Sequence, residues 1–204
     1  IIHGDTLYNA ETIANIFQNV HDAEVPCVNL TLKVEGMPTL SMENDNGITL
    51  LINHLVEKHG AKTINFISGP QGNSDGEGRL KAYKKALKEH GIEVEEHRIY
   101  FGDYHPKSGM EAVEFFEDCG LHMPDAIMAA NDEMALGALY ELEKRGYRIP
   151  EDIMITGYDN IYEAQNHAPR ITSVQRPEEE LGRKAYTYLM DEIAGKPKIG
   201  NEQL

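Results

Sequence analysis

The chain has 204 residues, of which 41% are hydrophobic and 26% are charged, a balance typical of a globular protein with one large core or two smaller ones. Its formal charge of −15 argues against a surface that wraps nucleic acid, because phosphates attract basic side chains. No apolar stretch approaches the ~20 residues of a membrane-spanning helix, and no basic and apolar leader opens the chain, so we expect a cytoplasmic protein. Cys27 and Cys119 lie far apart in sequence, and we expect them to be ordinary core thiols.

Short apolar runs alternate with amphipathic helical stripes along the chain. A helix predicted over roughly 10–21 precedes an apolar run at 26–32. The later predicted strands lie near 63–67, 99–101, 126–130, 153–158 and 172–174. The other predicted helices lie near 48–60, 80–91, 110–116, 134–142 and 181–193. Such alternation with short connections predicts an α/β fold built from βαβ units around a parallel sheet.

Polar residues directly follow several of these predicted strands. Asn131-Asp132 comes after one apolar run and Asp159-Asn160 after the next, while Gly69-Pro70 and Asp103-Tyr104 follow two others. In open parallel α/β sheets, ligands bind beyond the carboxyl ends of the strands. Asn and Asp are also favoured caps at helix N-termini. The pattern alone therefore leaves both a polar pocket and helix capping open.

A series of motifs runs in consistent order along nearly the whole chain. They are ENDNG (43–47), SGP (68–70) followed by GRL (78–80), ANDEMALGAL (130–139), RIPEDI (148–153), GYDN (157–160), PRITSV (169–174) and LG (181–182). In this order the chain resembles the effector-binding domain of the LacI/GalR family of bacterial transcription regulators.

The resemblance implies a two-lobed, periplasmic-binding-protein-like (type 1) fold, with parallel sheets flanked by helices and an effector held between the lobes. Residues 1–42 and 175–195 would form the N-terminal lobe, residues 43–174 the C-terminal lobe, and residues 196–204 the start of a return to the C-terminal lobe. The chain begins at Ile1 without a Met, and the family's helix-turn-helix and first strands have no counterpart here. We therefore expect a fragment with an incomplete N-terminal lobe.

The resemblance also points to residues that would bind the effector. Arg79 stands where family members use an Arg, whose planar fork suits paired hydroxyls, a carboxylate or a purine edge. Asp159 stands where the family's Asp accepts hydrogen bonds from effector hydroxyls. Asn131 is used by some sugar-binding members, whereas we expect Asp132 to cap the next helix. Tyr104 falls where the family often has an aromatic ring, which stacks on a sugar or a base.

Two departures from the sugar-binding pattern bear on the effector. Arg176 stands where many sugar-binding members carry a Gln, and Thr31 stands where they often place an Asp. A lost carboxylate and a gained guanidinium predict a more cationic pocket, which argues against a plain neutral hexose and leaves room for a sugar acid, a sugar phosphate or a purine. Asn73 and Asp75 lie where members diverge with their effector, and they are further candidates.

Catalytic signatures are missing from the sequence. The Gly-rich stretch at 69–79 lacks the Gly-Lys-Ser/Thr of a P-loop, and no G-x-S-x-G elbow or H-E-x-x-H pair occurs. His54 and His59 lie near the end of one predicted helix, where we expect them to face solvent. We therefore expect no enzyme activity, no cofactor and no metal site.

The predicted function is the small-molecule effector-sensing domain of a LacI-type regulator. We expect a homodimer that contacts DNA only through a domain absent from this chain, and no contact with a membrane. Two alternatives remain open: the same sensor fused to a signalling output such as a diguanylate cyclase, or a solute-binding protein of a transporter.

Overall fold

A computed structural model of the chain describes residues 2–3, 10–30, 37–42, 44–120, 122–196 and 202–203. The chain forms two compact units. The smaller unit comprises Ile1–Glu43 and Pro177–Leu204, and the larger unit comprises Asn44–Arg176. The lobe boundaries expected from the sequence, at 42/43 and 174/175, lie within two residues of these divisions.

Strands and helices alternate along the chain. The strands are β1 (Ile2–His3), β2 (Asn29–Leu30), β3 (Thr39–Ser41), β4 (Ile64–Ser68), β5 (Ile99–Phe101), β6 (Ala126–Ala129), β7 (Met154–Asp159), β8 (Thr172–Gln175) and β9 (Glu202–Gln203). The α-helices are α1 (Ala10–Asp22), α2 (Asp45–Asn53), α3 (Ser74–Glu89), α4 (Pro106–Asp118), α5 (Asp132–Lys144), α6 (Tyr162–Asn166) and α7 (Glu178–Ile193). A π-helical turn, His54–Lys58, directly follows α2, and a 3-10 turn, Glu96–Arg98, precedes β5.

The larger unit is built on a five-stranded, fully parallel sheet in the order β5-β4-β6-β7-β8. All residues of β4 and β6 are buried, which explains why β6 appears in the sequence as a continuous apolar run and β4 as a mostly apolar one rather than as alternating patterns. Side chains such as Phe66, Ile127 and Met134 are fully buried in its core. The parallel sheets flanked by helices confirm the predicted α/β fold class.

Helices α4 and α5 pack closely because two glycines leave room for the facing backbone. A Cβ atom on Gly137 would lie 1.9 Å from the carbonyl oxygen of Pro106, and one on Gly109 would lie 2.1 Å from that of Met134. Neither backbone carbonyl can move aside without shifting its helix. The glycine within the ANDEMALGAL motif is therefore required by helix packing.

The smaller unit contains a four-stranded parallel sheet in the order β1-β2-β3-β9, with a core that includes Val28, Leu40 and Leu181. Strand β3 was not predicted, since three residues are too few to show a period. The expected return of 196–204 to the larger unit is wrong for its described part. Glu202–Gln203 instead extend the smaller sheet by pairing with Leu40 and Ser41 of β3.

Two expectations from composition can be compared with the structure. None of the described helices is long and apolar enough to cross a membrane. Cys27 is buried in the smaller unit, but Cys119 is only half-buried at the end of α4, and the two do not form a disulfide. The prediction of a core thiol is therefore wrong for Cys119, because this residue follows the last turn of α4 and lies beyond the buried face of that helix.

Candidate functional site

The carboxyl ends of β4 to β8 all lie at the same edge of the larger unit's sheet, because the five strands are parallel. We call this the carboxyl edge. Every predicted effector-binding residue except Thr31 lies in the loops, helix starts and strand ends at this edge or reaches it from α3. Thr31 lies outside the described residues.

Arg79 is deeply buried, with 3% of its side chain exposed. It lies in the second turn of α3 and extends across the sheet edge. Its Nε donates to Asn44 Oδ1 at 3.0 Å, and its Nη1 donates to the carbonyl oxygen of Ala130. The guanidinium carbon lies 3.9 Å from the centroid of the Tyr158 ring, a cation–π distance. These contacts offset the cost of burying the charge and fix the fork in place.

Asp159 lies between two guanidinium groups at the end of β7. Its Oδ1 is 3.9 Å from Arg79 Nη2 and 3.5 Å from Arg176 Nη1, and 20% of its side chain is exposed. The pKa of this carboxyl is raised from 3.8 to about 6, mainly by burial and to a smaller extent by Asp132, while the guanidiniums of Arg79 and Arg176 limit the rise. The long contacts leave the carboxylate oxygens poorly satisfied, so they are suited to accept additional hydrogen bonds.

Asn44 joins two of the predicted residues, although the sequence pattern did not mark it as a site residue. Its Oδ1 accepts from Arg79, and its Nδ2 donates to Asp75 Oδ1 at 3.0 Å. The result is a continuous chain of polar contacts from Asp75 through Arg79 to Asp159. The available signal was its place in the ENDNG motif, but its distance from Asp75 in sequence, 31 residues, hid the contact.

Tyr104 is held by two asparagines at the other end of the carboxyl edge. Its hydroxyl donates to Asn73 Oδ1 at 2.8 Å, and its carbonyl oxygen accepts from Asn131 Nδ2 at 2.9 Å. The ring covers Gly69, where a Cβ atom would lie 2.3 Å from the Tyr104 hydroxyl oxygen. Asn73 also caps α3 by accepting from the Gly76 amide at 2.8 Å. Tyr104 is therefore a half-buried ring fixed on both sides.

The helix cap of α5 is Asn131 and not Asp132, contrary to expectation. The Asn131 backbone is extended, with φ of −147°, and its Oδ1 accepts from the Met134 amide at 3.0 Å. Asp132 already lies in the first helical turn, where its carboxylate cannot reach that amide. It is fully buried and instead accepts from the Ile161 amide at 2.8 Å and from the Ser173 hydroxyl at 2.6 Å.

Asp132 also explains a glycine of the GYDN motif. A Cβ atom on Gly157 would lie 2.0 Å from Asp132 Oδ1, so a side chain there would displace the carboxylate. Burial raises the pKa of Asp132, while its hydrogen bonds from Ser173 and from the Ile161 amide oppose the rise. Asp132 thus ties α5, β8 and the loop after β7 together beneath the carboxyl edge.

The chemistry assembled at the carboxyl edge is that of binding a polar molecule. Two guanidiniums, a carboxylate of raised pKa, a phenol ring and several amides lie along this edge of the larger unit. Within the described ranges, no group of three or more His, Cys, Asp or Glu side chains is arranged to hold a metal ion.

Comparisons with known proteins identify the family to which the chain is similar. Residues 52–204 match the periplasmic binding protein-like domain family. The HTH-type transcriptional repressor PurR of Escherichia fergusonii is 37% identical over 143 residues, which cover 70% of this chain and 41% of that repressor. PurR of Klebsiella pneumoniae is 36% identical over the same length. The chain thus matches about two fifths of the length of these curated relatives.

Solved structures share the fold. A complex of the transcriptional regulator CelR with cellobiose superposes with a TM-score of 0.86 at 32% identity, covering 98% of this chain and 61% of that one. A dimeric Lac repressor superposes with a TM-score of 0.80 at 26% identity, covering 93% of this chain and 69% of that one. This chain belongs to the periplasmic binding protein-like domain family, in the effector-binding form found in LacI/GalR regulators.

Proposed function

We propose that this chain is the effector-sensing domain of a LacI-type transcription regulator, and that a small molecule binds at the carboxyl edge. The observation that carries the proposal is Asp159, a partly exposed carboxylate between the guanidiniums of Arg79 and Arg176, with contacts too long to satisfy it. The relatives are transcriptional repressors and regulators, which favours this role over a signalling fusion or a transporter component.

The charges at the carboxyl edge favour an effector rich in hydroxyl groups. The guanidinium of Arg176, which suggested a cationic pocket, faces Asp159 at 3.5 Å, and Asp75 is joined to Arg79 through Asn44. Two positive groups are thus accompanied by two carboxylates. We infer that a sugar is the preferred class, with hydroxyls that donate to Asp159 and a C–H face against Tyr104. The cellobiose in the CelR complex supports this class.

The parent protein would convert this binding into a change in transcription. We propose that it contacts DNA through a helix-turn-helix domain, because its PurR relatives are HTH-type repressors, and that it works as a homodimer, because the similar Lac repressor is dimeric. A ligand that binds one conformational state more tightly than another shifts the population toward that state.

A thermal-shift screen of this chain tests the binding site. The panel contains cellobiose, a hexose phosphate, a hexuronic acid and purines, because each class suits a guanidinium or a carboxylate differently. A ligand at about a hundred times its Kd stabilises the folded state by about 2.7 kcal/mol. We expect a sugar to shift the melting temperature, and Asp159→Asn and Arg176→Gln to reduce the affinity at least tenfold.

The matched control is Asp118→Asn, which makes the same chemical change at an exposed position at the end of α4. This variant should bind like the parent chain. If a ligand binds with undiminished affinity to both Asp159→Asn and Arg176→Gln, the carboxyl edge is not its site. If a purine binds and no sugar does, the inferred effector class is wrong.

A further inference from the structure

A cavity lies at the edge of the same sheet opposite the carboxyl edge. It has a volume of about 250 Å³ and lies against the first residues of β7 and β8 and the π-helical turn after α2. Its lining includes His54, His59, Thr156, Arg170 and Thr172. None of these residues belongs to the carboxyl edge, so the cavity is separate from the proposed effector site.

Two histidines converge at this cavity. His54 Nε2 and His59 Nε2 are 3.1 Å apart, and their rings meet edge to face with centroids 4.7 Å apart. Two imidazoles in this arrangement either share one proton in a hydrogen bond or direct both ring nitrogens at a common cation.

The π-helical turn creates this pair. With 3.6 residues per turn, two side chains five positions apart on a regular α-helix point about 140° away from each other. The wider π turn over His54–Lys58 brings residues five apart onto the same side. The spacing of these histidines in sequence therefore indicated no site, and only the local departure from α-helical geometry unites them. Single π turns within helices often mark functional sites.

We propose that His54 and His59 bind a divalent transition-metal ion through their Nε2 atoms. Imidazole nitrogens bind zinc at about 2.0–2.1 Å, so two on one ion are separated by about 3 Å, close to the observed spacing. Imidazole suits Zn²⁺, Ni²⁺ and Cu²⁺, and among these Cu²⁺ binds most tightly to a given nitrogen site. The described residues supply no third His, Cys, Asp or Glu, so water completes the coordination and the ion exchanges readily.

An anion is the competing occupant, because Arg170 also lines the cavity. An anion would be held best with both imidazoles protonated. Two imidazolium groups with nitrogens 3.1 Å apart repel each other, whereas a metal ion requires both rings to be unprotonated at those nitrogens. The geometry of the histidine pair therefore favours the cation, and the nearby guanidinium weakens its binding.

Isothermal titration of this chain with Cu²⁺, Ni²⁺ and Zn²⁺, in a buffer that does not bind metals and after removal of any affinity tag, tests the proposal. We expect one ion per chain, with the affinity falling from Cu²⁺ to Ni²⁺. His54→Ala and His59→Ala should each lower the affinity at least tenfold. Both side chains are exposed, so circular dichroism should show the variants folded like the parent.

Two controls separate this site from other surface histidines and from the effector site. His122→Ala removes an exposed histidine elsewhere, and Asp159→Asn alters the carboxyl edge; both variants should bind the metal ions like the parent. The proposal is overturned if His54→Ala and His59→Ala titrate like the parent. It is also overturned if inorganic phosphate raises the melting temperature, metal ions do not, and Arg170→Ala removes the phosphate effect.

Discussion

Asn131-Asp132 and Asp159-Asn160 follow neighbouring parallel strands, yet the fold uses the two pairs differently. The first pair is buried, and its side chains bond to the Met134 and Ile161 amides, to the Ser173 hydroxyl and to the Tyr104 carbonyl. In the second pair both residues have positive φ, 107° for Asp159 and 55° for Asn160. Asp159 remains partly exposed, and its contacts to two guanidiniums, at 3.9 and 3.5 Å, are long.

The difference shows how two similar dipeptides acquire different roles. A side chain that satisfies buried amides stabilises the fold and has little capacity left for a ligand. A carboxylate held in a left-handed backbone conformation, with its oxygens poorly satisfied, has that capacity, and such strain often accompanies function. We therefore assign the first pair chiefly to folding and propose the second pair for binding. Substitutions at the four positions test this contrast.

The largest effect is expected from Asp132→Ala. This change leaves the Ile161 amide and the Ser173 hydroxyl without their buried acceptor. We therefore expect the free energy of unfolding to fall by about 4 kcal/mol. Urea denaturation followed by circular dichroism measures the loss. A loss below about 1 kcal/mol would show that Asp132 does not tie these elements together.

Asp159 should give a pH-dependent stability that Asp159→Asn removes. Because burial raises the pKa in the folded state from 3.8 to about 6, the folded protein holds this proton more tightly than the unfolded chain. The resulting stabilisation is complete below about pH 4 and is lost as the pH rises through about 6. Between pH 4 and pH 7, the free energy of unfolding of the parent should fall by about 2–3 kcal/mol more than that of the variant. Parallel urea titrations at the two pH values measure this difference, and equal changes in both proteins would contradict it.

Asn131→Ala should lower the free energy of unfolding by about 2 kcal/mol, because it removes both the cap of α5 and the donor to the Tyr104 carbonyl. Asn131→Ser is the informative companion, since a neutral hydroxyl can still accept from the Met134 amide while the amide donor to the Tyr104 carbonyl is lost. We expect about half the loss for this second variant in the same urea experiment. Equal losses would show that the cap contributes nothing.

Asn160 should produce the smallest effect and tests the backbone of the second pair. Asn160→Gly suits the left-handed φ of 55° and should change stability by no more than about 0.5 kcal/mol, whereas Asn160→Ala should cost about 1 kcal/mol. Thermal denaturation of the two variants compares them directly. If alanine is tolerated as well as glycine, the left-handed conformation is not required.

The sequence predicted the larger unit more completely than the smaller one. Strands β4, β6 and β7 lie in mostly apolar runs, and helices α3 and α5 carry apolar residues at helical spacing, so local pattern was sufficient to predict them. The two or three residues of β3 and β9 carry no period, and only their backbone pairing defines them as strands. The resemblance to regulators supplied Arg79 and Asp159 as candidates, while Asn44 required the folded structure.

The sequence by itself determined the order of elements, the parallel sheet and the polar residues beyond its strand ends, because these follow from the spacing of apolar side chains along a local stretch. Only the tertiary structure decided that Asn131 caps α5, that Asp159 lies between Arg79 and Arg176, and that a π turn joins His54 to His59. Each of these contacts depends on how backbones approach one another, or on a local change in helix geometry. Close approach of backbones and local changes in helix geometry produce no periodic pattern of residues in the sequence.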